Sequence, residues 1–475
     1  MKDHEEKLAF SKALLGQNKL TQSLSVDLTG DDKNSTSRPK DFDLNDHTRT
    51  EDFNMDITVS MTEKNINAVP LSLRVPEPKC RPGDLPDFTE MDIPRAGAQP
   101  RPPVDVDPAR IRDMAYSIIR IVNNAGDAVG EWADYVPDDA SLVEGLKDML
   151  RVRAFDARML MSQRQGKTSF YMQCLGEEAI ACAYARAQQK GDMNFPTYRQ
   201  QGLLLSTGYP MEDMMNQIYS NSKDPLEGRQ LPVLYSSKEH GFFTLSGNLA
   251  TQYIQAVGWA MASAIKGEQA ITTGWIGDGS TAESDFHSAL VFASTYQAPV
   301  VLNIVNNQWA ISTFQGIAVG EAGTLAARGL GFGIPALRVD GNDYLAVYAV
   351  ACWAMERARR NLGPTMIEFV TYRAGGHSTS DDPSAYRPKE EFSAWPLGDP
   401  IERLKSHLIK KGVWSEELHQ ETTTLLDEEV AQIQKRAEKN GTLHSGDSVS
   451  AKAMFEKVYA SMPEHLRRQR QEAGV

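Results

Sequence analysis

The sequence predicts an α/β fold with a mainly parallel sheet and helices on both faces of the sheet. Between residues 270 and 377, strand-like and helix-like segments follow in the order strand, helix, strand, loop, strand, helix, strand, which is typical of a parallel sheet covered by helices. The run Pro299–Val305 is apolar but for Asn303, as expected for a strand buried on both faces. Polar residues follow several of these runs, at the sheet edge where such folds bind ligands.

The elements of this region are predicted from their apolar periodicity. Strands are expected at Ile271–Ile276, Pro299–Val305, Ala336–Val339 and Thr365–Val370. A helix is expected to begin at Ser280, where Glu283 would complete a capping box, and a second helix is expected over Asp343–Arg360. Tyr372–Ser380 would then be the loop that leaves the last strand.

Composition divides the chain into four regions. Residues 1–66 are rich in Asp, Asn, Lys, Ser and Thr and are expected to be a disordered leader. Residues 67–108 carry many prolines, which predicts an extended arm. Residues 109–400 are expected to be the α/β domain. Residues 401–475, rich in Glu and Lys, are expected to be a solvated helical appendage or subunit contact rather than a nucleic-acid tail.

Charge and cysteine usage exclude several functional classes. The formal net charge of −13 over 475 residues argues against a broad nucleic-acid-binding face. The four cysteines form no CxxC pair, which argues against a disulfide scaffold or a structural zinc site. Apolar runs are too short to span a bilayer, and no secretory h-region is evident. We therefore expect a cytoplasmic protein without a membrane association.

Polar residues at the predicted strand ends point to a Mg²⁺–diphosphate site. Asp278 follows the first strand, Asn306-Asn307 follows the second, and His377 lies in the loop after the fourth. Carboxylate and amide oxygens suit Mg²⁺, which is bound by one or two protein ligands together with phosphate oxygens. The free N–H groups of a helix beginning at Ser280 would favour the same anion. Gly277–Ser280 lacks the GxGxxG pattern, which argues against a nicotinamide-dependent oxidoreductase.

Three motifs make a family resemblance specific. Gly277-Asp278-Gly279 is separated by twenty-six residues from Asn306-Asn307, which resembles the thiamine-diphosphate signature of enzymes that act on 2-oxoacids. The segments GDGSTAESDFHSAL, VNNQWAIST and TYRAGGHSTSDDPSAYR resemble the α subunit of branched-chain 2-oxoacid dehydrogenase in its bacterial form. The similarity runs from about Val75 to Val475 and implies the thiamine-diphosphate-binding fold.

The resemblance implies a set of site residues. Asp278, Asn307 and the backbone carbonyl of Trp309 would bind Mg²⁺. Thiamine diphosphate would be bound by Tyr198, Arg199, Gly247, Leu249, Asp278, Gly279, Ser280, Asn307, Trp309, Ala310, Ile311 and His377. Phe170, Tyr198 and Leu249 would shape the substrate pocket, and Ser246, Thr251 and Gln252 resemble a potassium site. Considered one by one, the aromatic and leucine residues would more often belong to a core.

The resemblance makes His377 the candidate catalytic histidine. His377 resembles the family's histidine near the cofactor, which is implicated in phosphate contact and acyl transfer to lipoamide. Ser378 matches the position phosphorylated in mitochondrial relatives. Salt bridges would order this loop through Arg373, Asp382, Tyr386 and Arg387.

Two positions depart from the mitochondrial relatives. Those relatives have an arginine in place of Val305 and a glutamine in place of Thr197. Diphosphate binding is therefore expected to depend more on Arg199, on His377 and on the helix N-terminus.

The resemblance also implies the activity and the partners. The chain would decarboxylate a branched-chain 2-oxoacid such as 3-methyl-2-oxobutanoate and transfer the acyl group to lipoyl on an acyltransferase core. No second domain resembles the half that binds the cofactor's pyrimidine, so a β subunit is expected, in an assembly of two α and two β chains. The α subunit of a pyruvate or acetoin dehydrogenase and a non-catalytic cofactor-binding scaffold remain alternatives.

Overall fold

A sheet of six parallel strands forms the centre of the molecule. A computed structural model describes residues 72–320, 323–447 and 449–475. The sheet contains β1 (Ile118–Ile119), β2 (Met193–Phe195), β3 (Thr272–Gly277), β4 (Val300–Asn306), β7 (Ala336–Asp340) and β8 (Thr365–Val370). Its strand order is β1-β7-β8-β4-β3-β2. A separate antiparallel hairpin contains β5 (Trp309–Ala310) and β6 (Thr313–Phe314).

The four predicted strands are confirmed, with ends that differ by one residue or less. They lie side by side in the order β7-β8-β4-β3, so the polar residues after β3 and β4 meet at one edge. Gly277 pairs with Val305 in the parallel register. β1 and β2 were not predicted, because strands of two and three residues carry almost no periodicity.

Helices cover both faces of the sheet, as predicted. The helices of the described residues are α1 (Asp139–Arg164), α2 (Glu178–Ala187), α3 (Gln201–Ser206), α4 (Met211–Tyr219), α5 (Thr251–Lys266), α6 (Ser284–Tyr296), α7 (Gly316–Val319), α8 (Ala327–Leu330), α9 (Tyr344–Arg359), α10 (Pro400–Lys410), α11 (Glu416–Lys439) and α12 (Glu464–Glu472). Short 3₁₀ turns lie between several of them.

Two cores meet the two faces of the sheet. In β4, Val301 and Val305 join the core that includes α1, α2 and α9. Val300, Leu302 and Ile304 join the core that includes α5 and α6. Successive side chains of a strand point to opposite faces, so an apolar run of this kind is required when helices cover both sides.

The helix expected from Ser280 begins later than predicted. Residues Gly279–Ala282 form a 3₁₀ turn, and α6 begins at Ser284 with Glu283 as its N-cap residue. No side chain caps α6, so the predicted capping box does not form. The N-terminus of α6 therefore lies one turn further from Asp278 than the sequence analysis expected.

The ends of the chain differ in how far they can be compared with prediction. The leader expected at 1–66 lies outside the described residues. From residue 72 to residue 107 the arm contains no helix or strand. Residues 75–475 form one compact unit, and the boundaries at 108 and 400 stay predictions.

The C-terminal region is helical, as predicted, but part of it is integrated into the core. Leu404 and Leu408 of α10, with Leu426 and Val430 of α11, are buried in the same core as α1. Of the three C-terminal helices that the structure describes, α12 alone has no buried residue. A solvated appendage therefore describes α12 but not α10 or α11. None of the helices in the described part of the chain has the length and apolar character that crossing a membrane requires.

Candidate functional site

A cleft opens at the carboxyl edge of β3 and β4. Six of the sequence-predicted cofactor residues line it. Its lining includes Glu177, Thr197, Tyr198, Arg199, Gln200, Leu234, Ser246, Gly247, Asn248, Leu249, Gln252, Gly277, Ser280, Val305 and Asn307. The cleft thus brings together segments that are far apart in the chain, at the edge where parallel sheets bind ligands.

Asp278 presents a buried carboxylate oxygen without a partner. The residue directly follows β3 and is 2% exposed, and its Oδ2 has no hydrogen-bond donor among the described residues. Burial is the main cause that raises the pKa of Asp278 to about 7, while the Gly279 N–H and the charge of Arg373 oppose the rise. Buried polar atoms are rarely left unpaired, so this oxygen is a candidate ligand for a cation.

Asn307 lies at the end of the neighbouring strand and is anchored by Glu177. Its Nδ2 donates to Glu177 Oε1 at 2.7 Å, and its Oδ1 accepts a longer bond of 3.3 Å from the Trp309 N–H. Glu177 is 3% exposed, and burial raises its pKa. The amide nitrogen of Asn307 is therefore engaged, and its oxygen keeps most of its capacity to accept.

Arg199 connects Glu177 to His377. Its guanidinium Nε lies 3.8 Å from Glu177 Oε1, and its Nη2 donates to the His377 carbonyl at 2.6 Å. Its Nη1 donates to the Gln173 carbonyl. Arg199 is 4% exposed, so this is not the surface salt bridge that an isolated arginine would suggest.

His377 is held as a neutral imidazole. Burial, followed by the charges of Arg199 and Arg373, lowers the pKa of His377 to about 3. Its Nδ1 lies 3.3 Å from Arg199 Nη2, and a guanidinium can only donate. Nδ1 therefore accepts, which leaves the proton on Nε2. Tyr198 packs against the ring edge to face, at 5.6 Å between ring centroids.

The loop after β8 is ordered by Asp381 rather than by Asp382. Asp381 Oδ2 accepts from the His377 N–H at 2.6 Å and from the Tyr386 hydroxyl at 2.7 Å, and it lies 3.7 Å from Arg373 Nη2. Asp382 instead caps a 3₁₀ turn by accepting from the Ser384 N–H. The expectation that Asp382 forms a salt bridge in this loop was therefore wrong by one residue, since Asp381 has that role.

Arg373 joins the loop after β8 to the hairpin β5–β6, and Arg387 holds the loop from its other side. Arg373 Nη1 donates to the Trp309 carbonyl and Nη2 to the Ile311 carbonyl, each at 2.8 Å. Arg387 Nη1 donates to the Arg373 carbonyl at 2.8 Å. Ile311 adopts a left-handed φ of 55°, which is unusual for a β-branched residue. The Trp309 carbonyl has a second lone pair and could still meet a cation.

Gly279 and Ala310 pack closely beside the cleft. A Cβ added to Gly279 would lie 2.4 Å from the Cβ of Ala310, so only glycine fits here without displacing the hairpin. Ser280, the next residue, is 8% exposed and lines the cleft. The segment expected to hold a diphosphate is therefore fixed in position.

The residues expected to form a potassium site lie around one turn. Gln252 Oε1 is buried without a partner among the described residues, while its Nε2 donates to the Trp275 carbonyl at 2.9 Å. Thr251 Oγ1 donates to the Asn248 carbonyl at 3.1 Å, and Ser246 Oγ accepts from the Asn248 N–H at 3.1 Å.

The three residues expected to shape the substrate pocket divide between the cleft and the core. Tyr198 and Leu249 line the cleft, and Leu249 is 53% exposed. Phe170 packs against the core that includes α1, α2 and α9. It is not among the residues that line the cleft. Its assignment to the substrate pocket stays a prediction.

Glu177 is a site residue that was not predicted from the sequence. In CLGEEAIACA, two acidic residues precede an apolar helix, where they are ordinarily explained by the helix dipole. Glu177 directly precedes a helix in which every residue from Glu178 to Tyr184 is buried. A carboxylate next to so buried a segment is the feature that could have drawn attention to it. Sequence alone does not show that its partner is Asn307.

Comparison with known proteins identifies the family. Residues 146–445 match the family described as "Dehydrogenase E1 component", and residues 69–109 match "2-oxoisovalerate dehydrogenase E1 alpha subunit N terminal". The chain is 62% identical over 406 residues to the 2-oxoisovalerate dehydrogenase subunit alpha of Pseudomonas aeruginosa, covering 86% of this chain and 99% of that one.

Relatives from animals match over most of their length as well. The mitochondrial 2-oxoisovalerate dehydrogenase subunit alpha of Caenorhabditis elegans is 39% identical over 360 residues, which cover 75% of this chain and 82% of that one. The human mitochondrial protein of that description is 37% identical over 355 residues, which cover 74% and 78%. With a family match over more than half its length, the chain belongs to the dehydrogenase E1 component family.

Proposed function

We propose that this chain is the α subunit of a branched-chain 2-oxoacid dehydrogenase, which decarboxylates 3-methyl-2-oxobutanoate. The names of its relatives support the substrate class, since the Pseudomonas, nematode and human proteins are all 2-oxoisovalerate dehydrogenase α subunits. The observation that carries the proposal lies at the ends of the adjacent strands β3 and β4, where Asp278 and Asn307 follow. There the buried Oδ2 of Asp278 has no donor among the described residues.

Membership of the family implies thiamine diphosphate as the cofactor, and the residues fit it. The cleft offers a buried guanidinium from Arg199 for a diphosphate, and the close-packed Gly279 lies directly before the lining residue Ser280. When bound, the cofactor supplies the carbanion nucleophile and the electron sink for decarboxylation. Because α6 begins at Ser284, its N-terminus contributes less than expected, and Arg199 and His377 carry more of the diphosphate contact.

Asp278 and Asn307 would bind Mg²⁺, with the Trp309 carbonyl as a third ligand. Within the described part of the chain, Asp278 Oδ2 lacks a donor, and Asn307 Oδ1 accepts one long bond. Mg²⁺ typically uses one or two such oxygens together with phosphate oxygens and water. A bound cation would favour the carboxylate form of Asp278, which burial disfavours in its absence.

His377 would act beside the cofactor as a neutral imidazole. With Nδ1 accepting from Arg199, the Nε2–H can donate to a phosphate oxygen or to an acyl oxygen. The anionic diphosphate would raise the pKa of His377 from its low value, since an opposite charge favours the protonated form. Tyr198, Leu249 and Phe170 would contact the substrate, and Ser246, Thr251 and Gln252 would hold K⁺.

Family membership as an α subunit implies a β subunit and further components of a complex. We propose two α and two β chains, with the cofactor bound where α and β meet and the acyl group passed to a lipoyl acyltransferase core. The carboxylate that activates the cofactor's aminopyrimidine would come from the β chain. The cytoplasmic location remains a prediction of the sequence.

The decisive experiment is decarboxylation by this chain co-expressed with its β partner, in the presence of Mg²⁺ and thiamine diphosphate. We expect 3-methyl-2-oxobutanoate to be preferred over pyruvate, with no turnover by the α chain alone and a large loss in His377→Ala. Preference for pyruvate would assign the chain to a pyruvate dehydrogenase. Cofactor binding without turnover of either acid would support the scaffold alternative.

A further inference from the structure

We infer that Glu177 is a positioning residue that orients Asn307 and Arg199 in the cofactor site, an inference that rests on the proposed function. Glu177 lines the cleft and contacts both side chains through its Oε1. These two side chains are the ones expected to contact the metal and the diphosphate, respectively. Glu177 itself needs no direct contact with either ligand.

The contact with Glu177 decides which way the amide of Asn307 faces. Burial raises the pKa of Glu177, but the charge of Arg199 opposes the rise and favours the carboxylate. A carboxylate only accepts hydrogen bonds, so the 2.7 Å contact places the Nδ2 of Asn307 toward Glu177. The Oδ1 must then lie on the other side of the amide, where the Trp309 N–H reaches it at 3.3 Å. With the amide reversed, two oxygens would meet and the nitrogen would replace the metal ligand.

The same carboxylate balances Arg199. The Arg199 guanidinium is buried, its Nε lies 3.8 Å from Glu177 Oε1, and its two terminal nitrogens donate to the carbonyls of Gln173 and His377. Removing one member of a buried ion pair leaves the other uncompensated. Glu177 therefore stabilises the guanidinium while the diphosphate is absent.

Glu178 provides a matched control in the next position. It is also buried, but it accepts from the Gly176 N–H and from Arg153 Nε, each at 2.9 Å. Its described partners do not include Asn307 or Arg199. A substitution there changes a buried carboxylate without changing the orientation of the metal ligand.

The test uses the full α chain assembled with its β partner. Dissociation constants for Mg²⁺ at saturating thiamine diphosphate, and for thiamine diphosphate at saturating Mg²⁺, would be measured by calorimetry for wild type, E177A, E177D, E177Q and E178Q. Assembly would be checked by size-exclusion chromatography and thermal melting. E177D keeps the charge but withdraws the acceptor by about one C–C bond, roughly 1.5 Å. E177Q keeps an acceptor in place but loses the charge.

We expect the position of the acceptor to dominate Mg²⁺ binding. E177A and E177D should weaken Mg²⁺ binding by about 10–100-fold, the usual effect of losing an outer-shell partner. E177Q should weaken it by less than about tenfold, because a neutral acceptor replaces a charged one. E178Q should leave the Mg²⁺ affinity unchanged while lowering the melting temperature. If E177A does not assemble, the remaining variants decide the question, because E177Q should bind Mg²⁺ more tightly than E177D.

Unchanged Mg²⁺ affinity in assembled E177D and E177A would overturn the inference. A result in which E177Q binds Mg²⁺ more weakly than E177D would also overturn it, since charge rather than orientation would then be responsible. If wild type shows no Mg²⁺-dependent binding of thiamine diphosphate, the proposed function fails instead. The two failures are therefore distinguishable.

Discussion

Asp278 and Asp340 are both buried aspartates at the carboxyl edge of the same sheet, yet their surroundings differ. Asp340 is the last residue of β7, and its Oδ2 accepts from Arg403 Nη1 at 2.7 Å and from Arg120 Nε at 3.1 Å. Asp278 follows β3 with no donor to its Oδ2 among the described residues. Burial raises the pKa of both carboxyls, while arginine charges oppose it at Asp340 more directly.

The difference separates a carboxylate that completes the fold from one that is available to a ligand. The pairing of Asp340 depends on α10, which brings Arg403 from 63 residues away to the end of β7. At the end of β3, Arg373 is engaged with the carbonyls of Trp309 and Ile311. A buried carboxylate oxygen without a donor is costly, and among the described residues Asp278 Oδ2 is such an oxygen at the end of β3. Its presence there indicates a function.

The largest expected effect is a loss of stability when the buried ion pairs of Asp340 are broken. Arg403→Met would leave Asp340 and Asp343 without the cation that contacts both. Breaking a buried pair costs about 3–5 kcal/mol, which differential scanning calorimetry of the assembled protein should register as a large drop in melting temperature. Arg436→Met, which breaks the more exposed pair with Glu212, should cost less than about 1 kcal/mol. Equal losses would remove the contrast between buried and exposed pairs.

Asp278→Asn directly tests the carboxylate whose Oδ2 has no donor among the described residues. We expect Mg²⁺ affinity to fall about 100-fold, or ~3 kcal/mol, because a neutral oxygen replaces the charged ligand. The cofactor-free protein should not lose stability, since the amide removes the cost of burying a charge. Asp340→Asn should show the opposite pattern, with lower stability and nearly unchanged Mg²⁺ affinity. Calorimetric titration and thermal melting of both variants would check this, and destabilisation of cofactor-free Asp278→Asn would argue for a structural role.

Gly279→Ala tests how tightly the segment after Asp278 packs against the hairpin β5–β6. The added Cβ would lie 2.4 Å from that of Ala310, and overpacking of this kind costs about 1–3 kcal/mol. Gly277→Ala is the matched control, because nothing lies within 4 Å of its added Cβ, and its effect should stay within about 0.5 kcal/mol. Melting temperatures of the two variants without cofactor provide the measurement. Similar temperatures would mean that the hairpin yields freely.

Asp156 extends the comparison to a carboxylate whose described donors are neutral. Its oxygens accept from the Tyr171 hydroxyl at 2.6 Å and the Cys174 N–H at 2.7 Å, and burial raises its pKa to about 7 from 3.8. The folded state then binds more protons than the unfolded state between these values. The contribution to stability is therefore full below pH 3.8 and is lost as pH rises through about 7, with a slope of at most ~1.4 kcal/mol per pH unit.

Asp156→Asn should remove that slope. The measurement is the difference in unfolding free energy between wild type and the variant from pH 5 to pH 8. Wild type should lose stability relative to the variant over this range. A constant difference would mean that Asp156 does not titrate near neutrality in the folded protein.

Most of the fold was predictable because its central strands are buried on both faces. The run that became β4 is almost wholly apolar, and β8 was predicted with its observed ends. The start of α6 was not predictable, since Ser280 and Glu283 fit a capping box that the 3₁₀ turn replaces. In that turn Gly279 packs against Ala310, which is a contact between separate segments.

The candidate site was predictable as a set of residues but not as a set of contacts. Asp278 and Asn307 lie at adjacent strand ends, as expected from their spacing. The choice of Asp381 over Asp382 depends on how the loop folds back to the His377 N–H. Two adjacent aspartates are equivalent in sequence and become different only when one of them is turned inward.

The sequence by itself determined the parallel sheet, the edge at which ligands bind and the residue types available there. Those properties follow from local periodicity and from strand order, which short segments encode. Only the tertiary structure decided that Glu177 meets Asn307 across 130 residues and that Arg199 meets His377 across 178. Such contacts depend on how whole elements pack, because a side chain's partner is set by what the fold brings within hydrogen-bond distance.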